Sequence, residues 1–206
     1  MDEDIFKYFF YKEIIADILR AIEGGALSGA FTLTFCCLDY LGLAMGNMEG
    51  CKDKNEKDFY KYLRDYLARL NKYYEIRKEI IYAARCSFVH VFGPSKFGSQ
   101  LDSSNKKNSN NTINYDKPVK INFIYRADTK LNSPHLHLKG TKEDSYIFII
   151  VLEDLVNDLI ASTIDFFDEI TEEEIDRWKN KLFEFSDNQV LRKNYEYMIN
   201  HKYFRY

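Results

Sequence analysis

No C-x-x-C pair and no zinc-like spacing occurs among the four cysteines, Cys36, Cys37, Cys51 and Cys86. That pattern offers neither a structural zinc site nor a disulfide framework. Two of the four are adjacent inside an apolar segment and one follows Arg85. All are expected as small buried hydrophobes in a reducing compartment. An excess of positive charge is missing as well. With a formal net charge of −3, no global field draws nucleic acid or membrane, and any RNA-binding surface has to be a local patch. The first residues, MDEDIFKYFF, are acidic where a secretory signal is basic, so no export signal is expected. There is no internal repeat.

What is present is apolar and aromatic. Hydrophobic residues make up 46% of the 206 positions, and 16 Tyr and 16 Phe point to a core built on rings. The length suits one sizeable core, since two would each be small, so residues 1–206 are expected to form a single domain. One stretch raises the question of a membrane. Ala26 to Met45, ALSGAFTLTFCCLDYLGLAM, is long enough to span a bilayer. Asp39 lies within it, and Ser28, Thr32 and Thr34 dilute it. It reads as the buried central helix of a bundle, in a cytoplasmic protein without a membrane partner.

Helical periodicity dominates the chain. Ile5 to Ile22 carries apolar residues at helical spacing and ends at Gly24-Gly25. A second helix runs from about Ala26 to Gly46. Phe59, Tyr62, Leu63, Tyr66, Leu67 and Leu70 mark a third, and Tyr73 to Pro94 contains a fourth. Residues 98–117 are expected to form a polar, mobile loop. Two strand-like runs, Val119 to Tyr125 and His135 to Lys139, predict a β-hairpin over about 119–139. A fifth helix is expected from about Asp144 to Ile170. Thr171 and Glu174 form a capping box that opens a sixth. The fold class is mainly α, a helical bundle with a small inserted β-hairpin.

The fourth helix carries the leading chemical candidates, Arg85 and His90 in RCSFVHVF. A histidine titrates near neutrality and moves protons. An arginine grips phosphate in a fork and neutralises charge developing on it. Together they suit metal-free cleavage of an RNA phosphodiester by its own 2′-hydroxyl. The structural reading has Arg85 capping helix carbonyls and His90 satisfied in the core, and from spacing alone that reading leads. On a helical wheel, Ile76, Ile80, Ala83 and Ser87 share one stripe, while Ile81, Arg85, Phe88 and Phe92 share another. His90 falls about 140° from Arg85, so their meeting requires a distortion or a second subunit.

Other candidates are weaker. Asp39, the sole charge of its helix, is expected to bond a neighbouring helix or to sit at a polar edge, and a contact with Arg85 would hold the guanidinium in place. His135 and His137, in PHLHL, alternate on a strand and so share a face. They could bind zinc only with a third ligand, and an exposed hairpin face is the expected reading. Lys106, Lys107, and the tail bases Arg192, Lys193, Lys202 and Arg205 lie among rings that suit single strands or pack on the bundle. No cofactor or metal is expected.

The segment RCSFVH resembles the R-x4-6-H signature of HEPN domains, small helical domains of bacterial defence, toxin and RNA-processing proteins. The nearly uncharged helix FCCLDYLG about fifty residues upstream strengthens the likeness, which runs best from Ala26 to Phe92. The resemblance implies a helical bundle that dimerises, with Arg85 and His90 of two copies facing each other across a cleft. Arg85 would polarise phosphate and His90 would act as acid or base, without metal, supported by Asp39, Ser87 and Phe92. The chain departs from the family at Cys86, often polar in active members, and at Phe92, a tyrosine in many toxins. The missing hydroxyl removes the site that partner nucleotidyltransferases modify. The expected partners are a second copy, RNA and a genetic partner protein of unknown identity. The resemblance thus implies a protein acting on RNA, as a ribonuclease or as a degenerate RNA- or nucleotide-binding relative, and the alternative is a non-catalytic helical interaction module.

Overall fold

A computed structural model describes residues 7, 10–45, 54–91, 119–126, 134–142, 145–171 and 173, and the side chains of these except at 54, 55, 90 and 91. Phe92, the loop 98–117, the capping-box helix and the tail lie outside the described residues. The described part is mostly helical with one small sheet. A wide π-helical turn, Phe10–Ile15, leads into α1, Ala16–Glu23. Gly25 then adopts φ +72°, the left-handed conformation that glycine takes without a Cβ clash. Gly25 N–H donates to Ile22 O at 3.0 Å and Ala26 N–H to Ala21 O at 2.8 Å, the paired bonds that stop a helix and turn the chain back.

The second helix, α2, spans Leu27–Met45. It is the one described helix long and apolar enough to cross a membrane, and half of that span is buried inside the fold. Phe35, Leu38 and Leu41 are completely buried. Gly42 lets the next helix, α3 (Lys54–Tyr62), lie against it. A Cβ at Gly42 would stand 2.7 Å from the carbonyl oxygen of Asp58. The chain continues through a π-helical turn, Leu63–Leu67, and the short segment Ala68–Leu70. The expected fourth helix is divided. α4 covers Tyr73–Ile76, Arg77 leaves helical geometry with φ −115° and ψ 18°, and α5 covers Lys78–Val91.

The sheet corrects the expected hairpin. β1 (Val119–Ile124) and β2 (His137–Gly140) do not pair with each other. Between them lies β3, Tyr146–Val151, parallel to β1 and antiparallel to β2. This stretch, YIFIIV, was expected as the start of the fifth helix, which instead begins at Leu152 as α6, Leu152–Glu169. The cause is physical. A short unbroken apolar run carries no period that separates a central strand from a buried helix. Its β-branched and aromatic side chains favour the pleated surface, and Phe148, Ile150 and Val151 are fully buried there.

Rings tie the layers together. Phe88 of α5 stacks on Phe31 and Phe35 of α2, with centroids at 5.1 and 6.0 Å, and meets Phe123 of β1 edge-on at 4.4 Å. Elsewhere in the same core, Phe10, Tyr62, Tyr66, Phe166 and Phe167 form a second run of edge-to-face contacts. Each such pair adds about 0.5–1.5 kcal/mol beyond the area it buries.

Candidate functional site

Arg85 sits on the inner side of α5, where its neighbours are buried and apolar. Ile81, Ala84 and Phe88 carry the helix into the core, and Arg85 goes with them, only 8% exposed. A charge so placed needs a partner, since its desolvation otherwise costs several kcal/mol. α2 supplies one. Asp39 Oδ2 accepts a hydrogen bond from Arg85 Nε at 2.5 Å and forms an ion pair with the terminal guanidinium nitrogen Nη2. The neighbouring-helix bond expected for Asp39 is therefore present, and its partner is Arg85.

Two further groups complete the surroundings. The guanidinium lies over the Tyr82 ring, 5.6 Å from its centroid, and Nη1 approaches Cys86 Sγ at 3.8 Å. Burial works against the cation, but the hydrogen bond and charge of Asp39, with help from Cys86, outweigh it and raise Arg85 above its usual value. Ser87 is buried. Cys36, expected buried, is exposed on α2, one turn before Asp39, while Cys37 is buried and Cys86 intermediate. Helix geometry explains the split, because adjacent residues point about 100° apart and only one of the Cys36-Cys37 pair can face the core.

His90 belongs to the last turn of α5, and the helix is unbroken from Arg85 to it. The two positions therefore remain about 140° apart around one axis, and no distortion of the backbone brings them together within one chain.

A second polar cluster was not foreseen. His135 and His137 do not share a face. His137 is exposed in β2, whereas His135 is 9% exposed. Between them Leu136 has φ 57°, a left-handed conformation that breaks the alternation of a strand and costs about 1–2 kcal/mol in a residue with a Cβ. His135 Nδ1 accepts the backbone N–H of Val151 at 3.0 Å, at the point where β3 becomes α6. Its Nε2 lies 3.0 Å from the hydroxyl of Tyr74 in α4, and that hydroxyl donates to Asp158 Oδ2 of α6 at 2.9 Å. With both ring nitrogens engaged, His135 has none free to bind zinc.

Burial lowers the His135 pKa to about 4, with Asp154 opposing and Arg126 assisting. Burial also raises Asp158, the Tyr74 bond opposing and Asp154 assisting. Arg126 docks beside this cluster. Its backbone N–H donates to Glu153 Oε1 at 2.8 Å, and its guanidinium pairs with Asp154. Asp154 and Asp158, four residues apart on α6, were the available signal, because like charges one turn apart call for partners.

Among the described residues, no group of three or more His, Cys, Asp or Glu is arranged to hold a metal ion. Compared with protein-family models, curated proteins and solved structures, the chain matches none.

Proposed function

We propose that this chain is a cytoplasmic HEPN-like helical-bundle protein of a bacterial defence or stress system, acting on RNA as a metal-independent endoribonuclease. Its site joins Arg85 of one copy to His90 of another. The observation that carries this reading is the Asp39–Arg85 pair. A guanidinium clamped at 2.5 Å by a carboxylate on a neighbouring helix has a fixed position, and positioning is what a phosphate-polarising cation needs. In the reaction the RNA 2′-hydroxyl loses its proton to a base and attacks phosphorus. The 5′-oxygen leaves and takes a proton, giving a 2′,3′-cyclic phosphate and a 5′-hydroxyl. His90 serves as acid or base, and Arg85 neutralises the charge developing on the phosphate.

The low exposure of Arg85 favours a second reading, a non-catalytic interaction module in which the same pair fastens α5 to α2. One experiment divides them. Purified protein is incubated with single-stranded RNA in EDTA, and the ends of the products are identified. Cleavage leaving cyclic phosphate ends, abolished by His90→Ala and by Arg85→Ala, supports the enzyme. Wild type and variants equally inert over a range of RNAs support the module.

A further inference from the structure

We propose that His135 is a proton-operated latch holding the sheet to the helical layer, closed when the ring is neutral and opened when it is protonated. The directions of its hydrogen bonds require this. A backbone N–H only donates, so the 3.0 Å contact from Val151 fixes Nδ1 as an acceptor without a proton. The single ring proton is then on Nε2 and points at the Tyr74 oxygen, whose own proton goes to Asp158. The chain of donors runs one way, from β3 through His135 and Tyr74 to α6. A second proton on the ring places N–H against N–H at Val151, and that bond is lost.

The latch adjoins a strained turn. His135 adjoins Leu136, whose left-handed backbone is held by a 2.8 Å bond from its N–H to Ile149 O. Losing the Val151 bond removes the adjacent restraint on this strained turn, so release relieves strain. Three parts of the fold meet here: the turn entering edge strand β2, the junction of β3 with α6, and α4. Among the described residues, the titratable and charged groups facing the ring are Tyr74 from α4, Asp154 and Asp158 from α6, and Arg126 after β1. Arg126 disfavours the imidazolium and Asp154 favours it, with burial deciding the outcome against charge.

The sign follows from linkage. The closed ring holds a proton less tightly, at about 4, than a released ring at about 6.5. Closure is at full strength above about 6.5 and weakens as pH falls toward 4, by about tenfold per pH unit.

Hydrogen exchange tests this directly. Protection factors, corrected for intrinsic rates, are measured for the amides of Leu136 and Val151 between pH 6.5 and 4.5. Wild type is expected to lose roughly 40-fold. His135→Asn, which keeps an acceptor toward Val151 but does not titrate there, is expected to lose far less. Tyr74→Phe is expected to start from lower protection and keep the wild-type slope. Equal slopes in wild type and His135→Asn overturn the proposal. If His135→Asn does not fold, ring nitrogen shifts of wild type at neutral pH decide. The Nε2–H tautomer upholds the latch, and the Nδ1–H tautomer or an imidazolium overturns it.

Discussion

Replacing Asp39 with alanine removes the carboxylate from a guanidinium held in the fold, with the two side chains only 15% and 10% exposed. Two effects compete. The ion pair itself contributes little net, because each partner gave up water to form it. Leaving one partner behind is costly, since the Arg85 cation then stays desolvated without this counter-charge. Breaking a buried pair in this way costs about 3–5 kcal/mol, and the residual exposure of this pair places it at the lower end. For a domain of this size, a urea dependence of about 2–3 kcal/mol per molar turns about 3 kcal/mol into a midpoint lowered by about 1 M. The double variant Asp39→Leu/Arg85→Met removes both charges and keeps apolar volume, so its midpoint should lie near wild type or above it. Urea unfolding followed by circular dichroism, for wild type, Asp39→Ala, the singles Asp39→Leu and Arg85→Met, and the double, completes the cycle. A midpoint shift under about 0.2 M in Asp39→Ala, or a double variant that loses the sum of the two singles, would refute the claim that this pair fastens α5 to α2.

Gly42→Ala tests the close approach of α2 and α3. The added methyl would lie 2.7 Å from Asp58 O and 3.0 Å from Phe59 Cα, so the helices must separate at a cost of about 1–3 kcal/mol. Thermal unfolding should show it, and a variant as stable as wild type contradicts the packing. The adjacent thiols should differ in reactivity. Iodoacetamide at pH ~8 reaches thiolates in proportion to exposure and acidity. Cys36 is exposed, whereas Cys37 is buried and its thiol is held far above its ordinary value, first by burial and then by Cys36. Peptide mass spectrometry should find Cys36 alkylated in folded protein and Cys37 only after denaturation. Equal labelling of the two in folded protein contradicts the orientation of α2.

The sequence was legible where a residue's chemistry leaves it few choices. Gly24-Gly25 marked the end of α1 because a left-handed turn is open to glycine and closed to most else. The helical core of α2 followed from length and apolarity. The sheet was less legible for a reason of period. YIFIIV has no alternation to read because β3 is the central strand and is buried. His135 was misread for the opposite reason. The alternation in PHLHL is real, but it transfers to space only if the backbone between the histidines is extended, and Leu136 is left-handed.

The two charged candidates show the same contrast. Arg85 and His90 are near in sequence, yet an unbroken helix holds their positions apart, so spacing alone says nothing about whether they meet. Asp39 is distant from Arg85 in sequence but stood alone in an apolar helix, and the desolvation cost of a solitary buried charge selects a cation as its neighbour. That argument is energetic where the other is only positional, and it accounts for the contact. It also bears on the proposed chemistry. A guanidinium already neutralised by Asp39 offers phosphate less attraction than a free one, and it can bind RNA only through the donors that Asp39 does not take. A substrate that competes with Asp39 for Nη2 should therefore bind more tightly to Asp39→Asn than to wild type, and one that uses only the remaining donors should not.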